Sequence, residues 1–340
     1  MAVSQFTDFI RATRNRYSKY VSDGILEDYV LFKELQKANG PPRRYSGVMG
    51  NEAGIISGVG GQDFEWRVFK ARMASGRWGP ATEISPSTPQ ILQHPKVSMG
   101  GYQVAYAIGT FETLSLDTEE EFVPLLKLYE QMATREWYML FNEQAYKDNS
   151  ASSPAGWGGL AAFVANTGTY ATNITLSDTY AKPYVFDYSA SGQSFAVTAL
   201  DRFTEVVNNA THGDTQSGPD VPEVAFANRS DWQKMHSLIS DLHRIVNVNE
   251  DMLKLGFKNF TYQGVRVYWD DEMTDQALKK VYILNMHSLG LVHAGKQLFM
   301  FDTGTTLEGI LQVLNVGVHK GQMICTNTRK NGLIDNTESV

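Results

Sequence analysis

Cysteine is almost absent from this sequence, whose 340 residues include only Cys325. One thiol cannot form a disulfide within the chain, and it cannot build a zinc or iron-sulfur site from several cysteines. A chain without disulfides fits a protein that is made in a reducing cytoplasm. We expect Cys325 to be a small buried residue, and we expect stability to come from the substantial core that a chain of this length can form.

The sequence also lacks an excess of basic residues and any long apolar run. Its 30 Lys and Arg residues are outnumbered by 37 Asp and Glu residues, which gives a formal charge of -7 and a pI near 5.5. Bulk electrostatics therefore disfavours nucleic-acid binding, although a local basic patch is compatible with this composition. Because no membrane-length apolar stretch and no signal-peptide pattern occurs, we expect a soluble, unexported protein with no membrane partner.

Motifs for enzyme chemistry are missing as well. The glycines of GVGGQ at 58–62 precede a strand-like segment rather than a helix, which favours hinge glycines over a phosphate loop. His236 and His243 do not have the i, i+4 spacing of a zinc helix, and His287 and His293 are expected to be structural. No G-x-S-x-G elbow occurs. We therefore predict a non-enzymatic protein with no catalytic, metal or cofactor residues.

One acidic pair needs separate treatment. Asp270 and Asp271 follow the strand-like segment VRVYW. Paired carboxyl groups can serve as general acid and base, but acidic residues in turns are usually solvated. We expect both side chains to be solvated turn residues.

Residues 1–45 predict a helical arm. The first part mixes aromatic and basic residues in an amphipathic pattern, and a second run has apolar residues at helical intervals before Gly40, Pro41 and Pro42 end it. Two interpretations stay open, namely two ordinary helices packed on a core or an arm that binds a partner. The candidate partner-binding residues are Phe6, Phe9, Arg11, Arg14 and Tyr17.

Residues 46–110 predict a long two-stranded excursion, which we call the flap. Two alternating segments, DFEWRVF and QVAYAIGTFETLSL, enclose a polar stretch that carries several prolines. A two-stranded ribbon buries too little surface to be stable alone, so it needs something to lie on. Aromatic residues are favoured at interfaces but are also ordinary core residues, and both interpretations stay open. The candidate residues for an interface between subunits are Phe64, Trp66, Arg67, Phe69, Arg72, Arg77 and Trp78.

Residues 118–147 predict the longest helix. Apolar residues recur at i, i+3, i+4 and i+7, and Thr118 with Glu121 has the spacing of a capping box. Pro124 predicts either a kink in the first turns or a helix that begins there. About 25 residues at 1.5 Å each give a rod of roughly 38 Å. The apolar positions predicted to face a core are Phe122, Leu125, Leu126, Tyr129, Met132, Ala133, Trp137, Leu140 and Phe141.

The rest of the chain predicts a mixture of helices and strands. A helix at 198–210 is followed by the strand VPEVAFAN and by a helix in SDWQKMHSLISDLHRI that starts on a Ser or Asp cap. Two apolar strands, in FTYQGVRVYW and VYILNMHSLGLV, flank a short acidic connection. The segment GILQVLNVGVHKGQMICTNTRKNGLI predicts closing strands. Together these elements predict an α+β fold.

The order of these elements resembles the major capsid protein of tailed bacteriophages. The likeness rests on GF followed by F-x-Y-x-G-V-x-V, an acidic turn and VYILN, and on GQMICTNTRKNGLI and GWGGLAAFV. It implies the tailed-phage capsid fold, in which the helix at 198–210 belongs with the spine helix in a peripheral domain. The implied parts are an N-terminal arm at 1–45, an extended loop with flanking strands at 46–110, a peripheral domain at 111–220 and 297–340, and an axial domain at 221–296.

The same resemblance implies a protein that assembles with its own copies, as pentamers and hexamers, into an icosahedral shell around double-stranded DNA. The flap would lie over a neighbouring subunit, and the axial domain would need a rigid sheet. Scaffold, portal and decoration proteins are implied partners, and the virion would be assembled in the host cytoplasm. Some relatives crosslink their subunits, but no Lys, Asn and Glu of this chain align with that chemistry, so we predict no covalent bond between subunits.

Two alternatives remain beside the resemblance. One is an enzyme of unknown type with a mobile lid at 50–110 and a polar cluster in the Tyr-rich region at 166–190. A pocket with convergent titratable groups would favour it. The other is a cellular shell protein of the same fold that holds a cargo.

Overall fold

The protein is described by a computed structural model that combines helices and sheets, which confirms the predicted α+β class. The described residues are 29–39, 43–44, 54–60, 63–70, 92–109, 119–151, 156–211, 220–242, 259–295, 300–306 and 312–336. The helices are α1 (Val30–Asn39), α2 (Glu119–Tyr146), α3 (Leu160–Phe163), α4 (Tyr188–Ser191), α5 (Phe195–Ala210), α6 (Arg229–Leu242) and α7 (Asp271–Asp275), with 3-10 turns at Met286–Ser288 and Thr328–Lys330.

Within these ranges the strands form two larger sheets and several two-stranded ribbons. The strands are β1 (Arg43–Arg44), β2 (Ile55–Ser57), β3 (Asp63–Glu65), β4 (Val68–Phe69), β5 (Leu92–Gln93), β6 (Lys96–Ser98), β7 (Gly100–Gly109), β8 (Thr169–Tyr170), β9 (Ile174–Thr175), β10 (Tyr184–Asp187), β11 (Val224–Ala227), β12 (Asn259–Tyr262), β13 (Val265–Trp269), β14 (Lys280–Leu284), β15 (Leu289–His293), β16 (Met300–Thr306), β17 (Gln312–Cys325) and β18 (Gly332–Asp335).

The first sheet is organised around the long strand β17. Its order is β1-β2-β15-β17-β16, and β7 also pairs with β17. β7 runs antiparallel to β17 from Gln312 to Gly321, and β15 runs antiparallel to it from Gly321 to Cys325. The predicted closing segment, 309–334, therefore supplies the long strand of this sheet, and its last residues lie in β18 of the other larger sheet.

The second sheet has the order β10-β18-β14-β11-β13-β12. The range 221–296, predicted as the axial domain, supplies β11 to β14, but β10 and β18 come from outside that range. In the same range β15 pairs in the first sheet instead. The predicted domain boundaries stay a prediction, and this sheet draws on a wider part of the chain than they include.

Helices α5 and α6 cover one face of the second sheet. Their apolar sides and the strands beneath form one core, in which Phe203, Val206 and Met235 are fully buried. A Cβ atom on Gly332 of β18 would lie 2.3 Å from the Val206 side chain, so α5 rests directly on this strand. The helix predicted at 198–210 for the peripheral domain thus packs on the second sheet.

The other face of the second sheet belongs to a larger core that also includes the first sheet. Helix α1 is part of this core, because Phe32 is fully buried and Glu34 pairs with Arg266 of β13 at 2.6 Å. Burial raises the pKa of the Glu34 carboxyl, while Arg266 acts to lower it. The described part of the predicted arm is therefore a helix packed on a core and the short strand β1, and residues 1–28, 40–42 and 45 lie outside the described residues.

Helix α2 confirms the predicted long helix. Its 28 residues give a length of about 42 Å. It begins before Pro124, and the predicted cap Thr118 lies outside the described residues. Trp137 and Phe141 are buried against Trp157 and His319, with ring centroids of Phe141 and Trp157 4.6 Å apart. In the described ranges no helix is both long and apolar enough to cross a membrane.

The strands around the acidic connection are both present, but they do not pair with each other. β11 lies between β13 and β14, parallel to β13 and antiparallel to β14. β13 instead forms a hairpin with β12 through Gln263 and Gly264, which have φ angles of 53° and 78°. Two positive φ angles in a two-residue loop match the twist of the flanking strands.

Candidate subunit interface

The flap begins as a two-stranded ribbon, but the predicted pairing of its strands is wrong. The segment DFEWRVF pairs with residues 92–98, whereas β7, the described part of QVAYAIGTFETLSL, pairs with β17 of the first sheet. β3 pairs with β6, and β4 pairs with β5 further along. Side chains fasten this base to the body of the chain, since Gln93 donates to the Asn173 carbonyl at 3.0 Å and Tyr180 donates to Gln93 at 2.8 Å. Lys96 lies 3.5 Å from Glu65 across the ribbon. The base of the flap is thus supported by its own chain.

The structure places the flap candidates in different environments. Phe64 and Trp66 are buried, with 1% and 2% of their surface exposed. Their rings stack, and Trp66 also lies 5.9 Å from the ring of Tyr170. Arg67 is exposed. The Phe69 side chain and Arg72, Arg77 and Trp78 lie outside the described residues.

This burial changes the reason for the predicted interface. The sequence left an interface role and a core role open for the aromatic rings of the flap, and within one copy Phe64 and Trp66 lie in the core. Their own chain covers both rings. An interface role for the flap stays a prediction that rests on the exposed Arg67 and on positions further out. The arm candidates Phe6, Phe9, Arg11, Arg14 and Tyr17 also lie outside the described residues.

Replacing Trp66 with Ala should therefore destabilise the folded chain, by about 3–5 kcal/mol, because it leaves a cavity in a packed core. Replacing the exposed neighbour Arg67 with Ala should change stability by less than about 0.5 kcal/mol. Urea unfolding followed by far-UV circular dichroism compares the two variants. Equal urea midpoints for both would contradict this account.

An exposed apolar stripe runs along α2. Leu128, Met132 and Met139 expose 52%, 57% and 54% of their surface. At 100° per residue the three positions lie within about 40° of one another on the helix. They point away from the side that carries Ala133, Trp137 and Phe141, which are buried. We call Leu128, Met132 and Met139 the α2 stripe.

The sequence pattern did not reveal this stripe. Met132 fits the apolar periodicity and was predicted to face the core, but it is more than half exposed. Leu128 and Met139 were not singled out. A helix with apolar residues on more than one side is the signal that could have found them, because such a helix is covered on more than one side.

The candidate titratable residues have structural roles. Asp270 is buried rather than solvated, which corrects the expectation for it, whereas Asp271 is exposed. The Asp270 carboxylate accepts hydrogen bonds from Asn142 and Tyr146 of α2, both at 2.9 Å, and from the Glu272 amide. Burial raises the pKa of the Asp270 carboxyl, and the hydrogen bonds act to lower it. It joins α2 to the start of α7.

Other predicted chemistry is accounted for in the same way. Cys325 is buried as expected, and burial raises the pKa of its thiol to about 12. His287 lies 3.2 Å from Glu223, and His293 is buried in β15. Across the described ranges, no group of three His, Cys, Asp or Glu side chains could hold a metal ion.

The Tyr-rich region at 166–190 does not gather a catalytic cluster. Tyr170 accepts a hydrogen bond from the Cys325 amide at 2.7 Å, Tyr188 lies 3.2 Å from Thr198, and Tyr184 bonds to Glu205. These contacts fasten the region to β17 and α5. The convergent titratable groups that would favour the enzyme alternative are not present among the described side chains here.

Comparison with solved structures identifies the fold. The capsid asymmetric unit of cyanophage A-1(L) matches with a TM-score of 0.59 and 13% identity, over 86% of this chain and 92% of that one. That of cyanophage Pam1 matches with a TM-score of 0.52 and 14% identity, over 89% and 91%. The capsid of a native GTA particle matches with a TM-score of 0.51 and 12% identity, over 86% and 94%. No protein-family model and no curated protein matches the sequence.

These matches define the class of structure. At identities near 13% they establish the fold, which is that of phage capsid proteins, and the predicted capsid fold is thereby confirmed. They extend over most of each chain, so the likeness covers most of the architecture and not one shared motif.

Proposed function

We propose that this chain is a major capsid protein, which assembles with its own copies into the icosahedral head shell around a phage double-stranded DNA genome. The observation that carries the proposal is the capsid fold over most of the chain. The α2 stripe supports it, because its three exposed apolar side chains lie on one side of the helix, where another copy could cover them. The similar solved chains are structural capsid proteins, which favours a non-enzymatic role.

Pentamers and hexamers of the chain would be the building units of the shell. In them the flap of one copy would lie over a neighbour and cover its α2 stripe. Arg67 and the outer flap residues Arg72, Arg77 and Trp78 are the candidates for this contact. A scaffold protein would meet the N-terminal arm through Phe6, Phe9, Arg11, Arg14 and Tyr17. Portal and decoration proteins would complete a virion that is assembled in the host cytoplasm.

Many modest contacts are enough to hold such a shell. Burial of apolar surface contributes about 25 cal/mol per Å². Each subunit repeats the same contacts, so their contributions accumulate over the shell even where one interface is small. The net charge of -7 would limit adhesion of the shell wall to the enclosed DNA.

Negative-stain microscopy and sedimentation velocity of the purified full chain test the proposal. We expect closed particles or capsomers, either from the chain alone or with its scaffold protein, at high protein concentration and in crowding agents. A species that stays strictly monomeric under all of these conditions would overturn it. A denaturing gel of the particles should show one monomer band, and a ladder above it would contradict the predicted absence of covalent bonds.

The contents of the particles separate a phage head from a cellular cargo shell of the same fold. Nuclease-protected DNA of uniform length in particles from producing cells supports the phage head. A defined protein cargo without such DNA would favour the cellular shell.

A further inference from the structure

The strand β7 carries none of the charged or proline residues that usually protect an exposed strand edge. β7 pairs over ten residues with β17, from Gly100 opposite Gly321 to Gly109 opposite Gln312, without a shift in register. Among the described residues, no strand pairs with the edge of β7 that faces away from β17. The β7 sequence, GGYQVAYAIG, contains no charged residue and no proline. Native edge strands usually carry such residues, or bulges, because an unprotected edge recruits another strand.

The faces of β7 do not explain this composition. Tyr102, Val104 and Tyr106 are half-buried on one face, where the Tyr106 ring stacks on Tyr129 of α2 at 6.0 Å. Gln103 and Ala105 are exposed on the opposite face, where charged side chains would cost little. Packing in the core therefore does not explain why the exposed face of β7 lacks charge, whereas pairing of its edge with another strand does.

We propose that β7 pairs with β7 of a second copy, antiparallel about a two-fold axis. An uncharged strand can lie beside its own copy without placing like charges opposite each other, which would be destabilising. A two-fold contact uses the same edge on both copies and then closes, whereas pairing with a different edge could continue into an open fibre. Residues 71–91 of the flap are a poorer partner, because Pro80, Pro86 and Pro89 lack the amide donors of a strand.

This inference rests on the proposed function, because a shell brings second copies together at high local concentration. Introduced cysteines test it, since the native thiol of Cys325 is buried and poorly ionised. The variants are Gln103→Cys and Ala105→Cys in the full chain. Directly opposite residues of paired strands have Cβ atoms about 4.5–5.5 Å apart, which is close to disulfide geometry. An axis through residue 103 or 105 places that cysteine opposite its own copy, whereas an axis through Val104 places position 103 opposite position 105. Each variant is therefore assembled alone, and the two are also assembled as a mixture. We expect at least one of these three samples to give a disulfide-linked dimer on a non-reducing gel of assembled particles, and not in the unassembled chain.

Val318→Cys is the matched control. Val318 is 40% exposed and lies directly opposite Gln103, but on β17, one strand further from the proposed axis. Its copy would lie about three strand spacings away, roughly 14 Å, which is beyond disulfide reach. It should therefore stay monomeric on the gel. A Val318→Cys dimer in place of dimers from β7 would indicate docking of sheet faces and would overturn edge pairing.

Amide hydrogen exchange of the wild-type chain gives an independent measurement. We expect peptides that cover β7 to exchange more slowly in particles than in the unassembled chain, because a strand of the second copy pairs with its outer edge. If particles form but exchange is unchanged, or neither the single β7 variants nor their mixture dimerises, the edge inference fails while the capsid proposal stands. If no particles form, the capsid proposal itself fails.

Discussion

Asn331→Asp is expected to lower the free energy of unfolding by about 3–5 kcal/mol near neutral pH, because it places a carboxylate where a buried amide makes several hydrogen bonds. Asn331 is fully buried. Its side-chain oxygen accepts from the Asn285 amide at 2.9 Å, and its nitrogen donates to the Asn327 carbonyl at 3.2 Å and to the Ser288 hydroxyl at 3.3 Å. The same nitrogen also donates to the Cys325 sulfur at 3.3 Å. The variant would lose these three donated bonds and face the Asn327 carbonyl with a negative charge.

The position of Asn331 explains why so much depends on one side chain. It lies between β17 of the first sheet and β18 of the second. Asn285 and Ser288 lie in a second segment where the chain passes between the sheets, from β14 of the second sheet to β15 of the first. The Asn331 amide therefore connects the two segments that link the sheets, and it fixes how the two sheets meet.

Dependence on pH provides a check on the mechanism. A buried Asp at position 331 has a folded-state pKa above its unfolded value of about 3.9. Its penalty should therefore be smallest below that unfolded value and should grow as the pH rises through the folded-state pKa. Urea unfolding at pH 5 and pH 7 measures this trend. Asn166→Asp, at an exposed position, is the control, and an equal midpoint for both variants would contradict the account.

Local patterns in the sequence were sufficient to predict several elements. The i, i+3, i+4 and i+7 spacing located α2 to within a residue at each end. The strand β11 lies inside VPEVAFAN, and α6 begins close to the predicted position, although Asn228 supplies the cap by accepting from the Asp231 amide. These features depend on residues near one another in the chain, so a local pattern contains them.

Features that depend on distant residues were not predictable in this way. Asp270 is buried because Asn142 and Tyr146, more than 120 residues earlier, supply donors to it. A turn with the same local sequence would be solvated without them. β11 separates β13 from β14, although strands close in sequence often pair directly.

The candidate interface shows the same limit. Alternation along the flap indicated that it has two faces, but not that its own chain buries Trp66. Periodicity along α2 identified a core-facing side, but it did not show that Met132 lies on the other side of the helix. Which apolar side chains remain for a partner is decided only after the chain has packed, so it needs the structure.

The triple variant Leu128→Gln, Met132→Gln, Met139→Gln is expected to abolish particle formation and to leave the folded chain intact. Each side chain is about half exposed, so covering its remaining surface should contribute about 1 kcal/mol. Together they should contribute about 3 kcal/mol per contact, which corresponds to roughly a hundredfold in the association constant. Repeated at every subunit, this loss should prevent closure of a shell.

Sedimentation velocity measures assembly of this variant, and urea unfolding measures its stability. Because the replaced side chains lie outside the packed core, the urea midpoint should stay close to that of the wild type. Val197→Gln is the control, since Val197 is 73% exposed but stands alone on α5, and its particles should form normally. Normal particles from the triple variant would show that the α2 stripe is not a contact between copies, and a large loss of stability would show that the stripe serves the fold instead.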